Sequence, residues 1–365
     1  MSLGQIARNF QAVRAVVGAG VEVMPVVKAD AYRHGAVEVS RRLMAEGARW
    51  LAVSSVEEGA ALRDAGIGAR VLVMADFLPA ERAGLLDYRL TPVIHTLEDI
   101  AAWDALCRER GCEAAYHLKV DTGMGRLGTR ASAREILDVL SETRHARMEG
   151  LMTHFASAAN YDSTQTADQL ACFHAVADEL LRGGADASIL HTSSTIAVAY
   201  GRREGWHHLV RTGHGLYGYV SPARGAAPPP LLRVQPALTW KARILEVKEI
   251  PEGALVGYGG TFRAPRAMRI GVLGAGYADG MFHRLSNRGK VIADGKLTPI
   301  LGTISMDLTT IDLSHTASLT PGDAVTLLGT EGEASLDAQE IARVAGTISY
   351  NILCSISARV KRVYV

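Results

Sequence analysis

A lysine ends an apolar stretch near the start of the chain, where residues 26–35 read VVKADAYRHG. The run before Lys28 is typical of a buried strand, and burying an ammonium group is costly unless its charge is paired or neutralised. Lys28 therefore either extends to the solvent or is available to react, for example by forming a Schiff base with a carbonyl compound.

Other ionisable and polar side chains also follow apolar runs within the first 220 residues. They are Lys119 with Asp121, His154, His191 with Thr195, and Arg211 with Gly213. Taken singly, Lys119 and His191 are better explained as solvated strand ends. An ordinary hydrophobic core, however, has no need for so many ionisable and polar groups together. In a parallel barrel the carboxyl ends of all strands meet on one face, which carries the active site.

Two of these strand ends are typical of a phosphate site. The loops after the seventh and eighth strands of a barrel commonly bind phosphate, and here they read HTSST and RTGHGLYG. Gly213 and Gly215 let backbone N–H groups approach an anion closely. A phosphate-bearing carbonyl cofactor that reacts with a lysine, such as pyridoxal phosphate, would use these loops together with Lys28 and Arg211.

Eight short apolar runs alternate with segments of helical period up to about residue 220. The runs are VEVMPVVKAD, WLAVSS, RVLVMAD, LTPVIH, AAYHLKVDTG, MEGLMTHFA, ASILHTSS and HLVRTGHG. Strand followed by helix eight times predicts a parallel (β/α)8 barrel, with an open doubly wound sheet as the alternative. No GxGxxG motif follows the first strand, which excludes the usual dinucleotide-binding form of that sheet.

A proline-rich stretch divides the chain. Residues 1–223 are predicted to form the barrel, and residues 224–234, RGAAPPPLLRV, a semi-rigid linker. Residues 235–365 show short alternating runs separated by Gly, Asp and Pro, which predicts a mainly β domain. The segment SLDAQEIARVAG near the end predicts one helix, with Ser335 as its N-terminal cap.

Composition limits the classes of protein to consider. The 365 residues are 48% hydrophobic and 21% charged, which is typical of a globular protein. The formal net charge is +1 and the sequence has no block of like charges, so electrostatics do not suggest nucleic acid or a membrane surface as a partner. Four cysteines lack metal-ligand or redox spacing, which favours reduced thiols in a cytoplasm and no metal site. Neither a signal peptide nor a membrane-spanning run is expected.

Six motifs, in order along nearly the whole chain, closely resemble those of the alanine racemases. They are VVKADAYRHG, KVDTGMGRLG, RTGHGLYG, VGYGGTF, GAGYADG and ISMD. The resemblance implies a fold-type III pyridoxal-phosphate enzyme that interconverts L- and D-alanine and supplies D-alanine for peptidoglycan. It also implies a head-to-tail homodimer with shared active sites.

The resemblance assigns a set of residues to the cofactor. Lys28 would hold pyridoxal phosphate covalently and act as one proton-transfer base, Arg211 would face the pyridine nitrogen, and His191 would orient Arg211. His154 would lie beside the ring. The phosphate would be bound by Tyr32, Thr195, the backbone of Gly213 and His214, and Tyr350.

Other residues are assigned to the substrate. Tyr258 in VGYGGTF would be the second base, contributed by the partner subunit. Arg126 would bind the substrate carboxylate and the phenolic oxygen of the cofactor. Met306, Asp307 and Tyr277 would line the same cleft.

Lys119 would be carbamylated, as it is in many relatives, because an ammonium group near Arg126 would be repelled whereas an anion would position the arginine. An unmodified Lys119 paired with Asp121 is the alternative.

Two positions depart from the family pattern. Thr195 stands where serine is usual, and His214 replaces an apolar residue.

Three other functions remain alternatives. A racemase for serine or a broader range of amino acids would use the same catalytic set. A fold-type III decarboxylase is disfavoured because the motifs offer no acidic partner for the pyridine nitrogen. A cofactor-binding barrel without catalysis is disfavoured because the chain also has the β domain that carries Tyr258.

Overall fold

The computed structural model describes residues 1–316 and 318–365, and its contacts divide the chain into two compact units. The barrel unit comprises Leu3–Ala31 and Gly35–Gln235, and the β unit comprises Met1–Ser2, Tyr32–His34 and Pro236–Val365. Within the described chain, residues 225–239 contain neither helix nor strand. The domain boundaries predicted at residues 223 and 235 stay predictions.

Eight parallel strands form the centre of the barrel unit. They are β1 (Glu22–Pro25), β2 (Trp50–Val53), β3 (Arg70–Val73), β4 (Thr91–Ile94), β5 (Ala114–Lys119), β6 (Ala146–Met152), β7 (Ile189–His191) and β8 (Leu209–Thr212). Strands β2 to β7 pair in chain order, and β1 pairs with β8. Three of them, β2, β4 and β8, are buried along their whole length, because helices cover one face of such strands and the barrel interior the other.

Backbone hydrogen bonds close the barrel at two junctions. Val27 N–H donates to the Ala52 carbonyl at 2.8 Å, which joins the end of β1 to β2. Arg211 N–H donates to the Ser193 carbonyl at 3.0 Å, which joins β8 to the end of β7. The predicted eight-stranded parallel barrel is therefore confirmed.

One helix precedes the first strand of the barrel, and the others connect successive strands. They are α1 (Leu3–Val17), α2 (Lys28–Arg33), α3 (Ala36–Ala45), α4 (Val56–Asp64), α5 (Arg82–Asp87), α6 (Leu97–Glu109), α7 (Ala133–Glu142), α8 (Gln165–Arg182) and α9 (Thr195–Ala199). Three of them begin directly after a serine or threonine whose hydroxyl accepts a backbone N–H of the first turn: Ser55, Thr96 and Ser132. These caps satisfy backbone donors that the helix itself leaves unpaired.

The β unit is built on antiparallel strands, as predicted. Its main strands are β9 (Trp240–Ile250), β12 (Met268–Leu273), β13 (Lys290–Ala293), β14 (Lys296–Leu301), β15 (Thr309–Asp312), β16 (Ala324–Glu331) and β17 (Ala334–Leu336). They pair in the order β13-β14-β15-β12-β9-β16-β17, and β13 also pairs with β16, so the sheet curls back on itself. A separate two-stranded hairpin is formed by β10 (Leu255–Val256) and β11 (Phe262–Arg263).

Two helices follow the sheet, where the sequence predicted one. Helix α10 (Ala338–Ala345) is the predicted helix, and α11 (Ser349–Ser355) was not expected. The prediction of Ser335 as the cap was wrong, because Ser335 lies in β17. Asp337 is the cap, and its carboxylate accepts the N–H groups of Gln339 and Glu340, each at 2.8 Å.

Asp337→Ala should lower the free energy of unfolding by about 1 kcal/mol, since it removes both hydrogen bonds at the start of α10. Ser335→Ala is the matched control and should leave stability within about 0.5 kcal/mol of wild type. Urea denaturation of the two variants measures the difference, and an equal effect of both would contradict the assignment of the cap.

No helix among the described residues is both long and apolar enough to cross a membrane.

Candidate active site

Arg211 in β8 is held at the strand ends by both of its terminal nitrogens. Its Nη1 donates to Nδ1 and to the carbonyl of His191, both at 2.8 Å. Its Nη2 donates to the carbonyls of Thr153 at 2.8 Å and Thr192 at 3.0 Å, and contacts His154 Nδ1 at 3.2 Å. Among the described residues, the Nε–H of Arg211 has no hydrogen-bond partner. Burial lowers the Arg211 pKa to about 9, so the group remains a cation at neutral pH.

The hydrogen bond from Arg211 determines the tautomers of two histidines. Because a guanidinium only donates, His191 accepts at Nδ1 and carries its proton on Nε2. That nitrogen lies 2.8 Å from Nδ1 of His117, which must accept in turn. Burial, with the charge of Arg211, lowers the pKa of His191 well below its usual value, and burial lowers the pKa of His117 to about 3. Both rings are therefore neutral, and this buried chain holds the guanidinium in one orientation.

Lys119 ends β5, as predicted, and is 4% exposed. Burial, followed by the charges of Arg126 and Arg211, lowers its pKa to about 8. Lys28 acts in the same direction, and Asp121 opposes the shift. Lys119 therefore lies among cations, and its neutral amine form is more populated near neutral pH than that of an ordinary exposed lysine.

Asp121 organises the loop that carries Arg126. Its Oδ1 accepts the N–H groups of residues 123–125 at distances between 2.9 and 3.2 Å. Its Oδ2 pairs with Arg130 at 2.9 Å. No ion pair joins Asp121 to Lys119 among the residues described, so the predicted alternative partner of Lys119 is engaged elsewhere.

The chain after β1 makes a left-handed helical turn. Helix α2 begins at Lys28, and residues 29–33 all have φ between 52° and 66°. Residues other than glycine pay roughly 1–2 kcal/mol each for this conformation. Hydrogen bonds from Ala29 N–H to Glu58 Oε1 at 2.6 Å and from Ala36 N–H to Asp30 Oδ1 at 2.7 Å hold the turn. Strain of this kind persists where the surrounding structure enforces it, which is common at functional sites.

The loops after β7 and β8 meet around Thr195. Its hydroxyl accepts the N–H groups of Gly213 at 3.1 Å and Gly215 at 3.3 Å. A Cβ atom on Gly215 would lie 2.9 Å from the Thr195 methyl group, so the glycine makes room for threonine in place of serine. His214 is buried, and its ring stacks on Tyr219 with centroids 5.2 Å apart. The backbone of His214 therefore forms part of this loop, while its ring packs against an aromatic side chain.

Tyr32 and Tyr350 are neighbours within the β unit. Their ring centroids are 6.0 Å apart, and Tyr350 lies in α11. Burial, with smaller contributions from Tyr350 and Cys354, raises the pKa of Tyr32. Tyr32 is thus a protonated hydroxyl at any physiological pH, suited to donating a hydrogen bond to an anion.

Tyr258 lies at the tip of the hairpin formed by β10 and β11, and it is 76% exposed. Gly257, Gly259 and Gly260 around it have φ of 73°, 70° and 54°, so this turn requires its glycines. The Tyr258 carbonyl accepts from the Thr303 hydroxyl at 3.0 Å, which anchors the tip. The backbone is therefore anchored while the phenol is left exposed.

Tyr277 and Met306 are also exposed on the β unit, and their loops are joined by a 3.0 Å hydrogen bond from Ala278 N–H to the Met306 carbonyl. Asp307 pairs with Arg359 at 2.7 Å. The structure thus joins the loops that carry Tyr277 and Met306, and the assignment of Tyr277, Met306 and Asp307 to the substrate cleft stays a prediction.

Sequence reasoning missed two histidines at this end of the barrel. His117 lies two residues before Lys119 and so faces the same side of β5. His95 directly follows β4, in the same position relative to its strand as the residues that were singled out. Strand alternation and the strand-end rule could have found both.

The fold and this set of side chains define a barrel enzyme with an additional β domain, and comparisons with known proteins identify its family. Two family models match, the alanine racemase N-terminal domain over residues 1–222 and the alanine racemase C-terminal domain over residues 237–364. The alanine racemase of Carboxydothermus hydrogenoformans is 40% identical over 365 residues, covering all of this chain and 98% of that protein.

Solved structures agree with the sequence comparison. An alanine racemase from D-cycloserine-producing Streptomyces lavendulae superposes with a TM-score of 0.92 at 30% identity, covering all of this chain and 96% of the other. One from Bartonella henselae, solved with covalently bound pyridoxal phosphate, gives 0.87 at 25% identity, with 100% and 98% covered. The chain belongs to the alanine racemases, a family of isomerases.

Proposed function

We propose that the protein interconverts L- and D-alanine with pyridoxal phosphate bound at the strand ends of the barrel, and that it supplies D-alanine for peptidoglycan. The observation that carries the proposal is the buried Arg211, whose two terminal nitrogens are bound by protein while its Nε–H is left for a ligand. A pyridine nitrogen is an acceptor that fits this donor. A guanidinium does not give up its proton as a carboxylic acid would, which suits a racemase because the substrate carbanion is kept short-lived.

The residues present fit the cofactor. Lys28 would hold it covalently, Arg211 would face the ring nitrogen, and His191 would keep Arg211 in place. His154, whose pKa is lowered well below its usual value by burial and by Arg211, would lie beside the ring as a neutral group. The phosphate would be bound by Tyr32, Thr195, Gly213, His214 and Tyr350. When bound, pyridoxal phosphate delocalises the electron pair left on the substrate carbon after proton removal.

The chain's own residues would supply the proton transfers. Lys28 and Tyr258 would act on opposite faces of the substrate carbon, because each enantiomer is formed by protonation from one face. Arg126 would bind the substrate carboxylate. Met306, Asp307 and Tyr277 would form the cleft wall and limit the size of the substrate side chain.

We propose that Tyr258 is donated by the partner subunit of a head-to-tail homodimer. Its exposure, and that of Tyr277 and Met306, is consistent with a surface that a second chain covers. Lys28 and Tyr258 also belong to different units of the chain.

Circular dichroism of L-alanine and of D-alanine incubated with the purified enzyme and pyridoxal phosphate tests the function. Both signals should decay to zero at the same final composition. L-serine, measured in parallel, should racemise more slowly. Faster racemisation of serine than of alanine would overturn the substrate assignment.

Lys119 is expected to be carbamylated. Its neutral amine nitrogen would attack the carbon of carbon dioxide, one C=O electron pair would move to oxygen, and the amine proton would pass to solvent. The product is an anion among Arg126, Arg211 and Lys28, where the ammonium would be repelled.

The extent of this modification should rise as the pH rises through about 8, because only the neutral amine reacts. NMR spectra with ¹³C-bicarbonate should show a carbamate signal that is missing from Lys119→Met protein. A wild-type spectrum without that signal, at saturating bicarbonate, would contradict the assignment.

A further inference from the structure

His95 lies beside Lys119 at the ends of two adjacent parallel strands. Strand β4 pairs with β5 in a register that places Ile94 opposite Leu118, so the next position of each strand brings His95 opposite Lys119. Val93 is paired in the same way with His117. Because alternate residues of a strand face the same side, His95 and Lys119 lie on the side to which His117 points. His117 is bonded there to His191, inside the barrel.

His95 lacks a hydrogen-bond partner in a place where one is expected. The residue is 8% exposed, and neither ring nitrogen makes a hydrogen bond to any of the described residues. The carbonyls of Met74 and Ala75 are close enough to affect the ring, but neither reaches it with normal hydrogen-bond geometry. Buried polar side chains nearly always have a partner, so this unpaired ring points to a group that the unmodified chain does not provide.

The charge of Lys119 acts on the pKa of the His95 ring. Burial and then the positive charge of Lys119 lower the pKa of His95 to about 4, while Asp99 opposes the shift. A carbamate would replace that cation by an anion and extend the side chain by two acceptor oxygens. The anion would remove the charge that lowers the His95 pKa and would offer the neutral ring an acceptor for its N–H.

We propose that His95 is a positioning residue that donates a hydrogen bond to a carbamate oxygen on Lys119. The inference rests on the carbamylation proposed above and assigns the neighbour that holds the modified side chain. The carbamate, held by His95, would in turn present its charge to Arg126, the residue assigned to the substrate carboxylate.

The affinity of Lys119 for carbon dioxide tests this role directly. Titration with ¹³C-bicarbonate should show half-saturation at an approximately tenfold higher concentration in His95→Phe than in wild type, because a hydrogen bond to a charged group is lost. His95→Gln keeps a donor and should recover much of the affinity. His145→Phe, a half-buried histidine before the start of β6, is the matched control and should bind like wild type. Equal affinity in wild type and His95→Phe would overturn the inference.

A double-mutant cycle supplies a second measurement that a merely structural role would not reproduce. His95→Phe should raise KM for alanine several-fold in the wild-type background and have little effect in the Lys119→Met background. An equal increase in both backgrounds would show that His95 acts independently of Lys119 and would overturn the inference. Absence of a carbamate in wild-type protein would also overturn it, whereas racemisation followed on the same samples reports separately on the proposed function.

Discussion

Lys28→Ala and Tyr258→Phe proteins, each nearly inactive alone, should regain roughly a quarter of wild-type racemase activity when mixed under conditions that exchange subunits. If each active site uses Lys28 of one chain and Tyr258 of the other, a mixed dimer has one site with both defects and one with neither. Random exchange makes half of the dimers mixed, each with one sound site of two. Positioned acid–base groups contribute about 10²–10⁴-fold each, so the recovered activity stands well above the background of the single variants.

A second mixture controls for stabilisation or other indirect effects of exchange. Lys28 and Arg211 lie in the same unit of the chain, so mixing Lys28→Ala with Arg211→Ala leaves one defect in each site of the mixed dimer. That mixture should stay inactive. Mass spectrometry of differently tagged chains verifies the exchange, and a Lys28/Tyr258 mixture that exchanges without regaining activity would show that both bases come from one chain.

Lys28→Ala should abolish the covalent link to pyridoxal phosphate that borohydride reduction makes permanent. Wild-type protein reduced in the presence of the cofactor should yield a modified peptide that contains Lys28, and racemisation should stop. The alanine variant should give no modified peptide and should lose at least about a thousandfold in activity, because it loses both the anchor and one base.

Lys119→Met provides the matched lysine control. Lys119 lies at the end of another strand of the same barrel. If the cofactor reacted with any nearby amine, both substitutions would reduce its covalent attachment. The link should persist in Lys119→Met protein. Reduction that still attached the cofactor to Lys28→Ala protein would disprove the assignment of Lys28.

Much of the fold follows from local patterns in the sequence. Eight apolar runs separated by helix-period segments are sufficient to predict parallel strands, since a crossover between such strands needs a helix-length connection. Chemically distinctive residues at the ends of those runs, Lys28, Lys119, His191 and Arg211, could be located because strand ends share one face of a barrel. The helix that begins after Asp337 was also predictable, but its cap was misassigned because Ser335 and Asp337 are both good caps, and only the end of β17 decides between them.

Tertiary structure decided how those residues act on one another. The tautomers of His191 and His117 depend on the direction in which Arg211 donates. The pKa of Lys119 depends on its burial beside Arg126 and beside Arg211, which lies far from it in sequence. The register of β4 on β5 placed His95 beside Lys119, which no spacing within one segment could specify. Propensity and periodicity act over a few residues, so they determine elements and their order. Desolvation and Coulomb interactions depend on distances through space, so the chemistry of the site exists only in the folded chain.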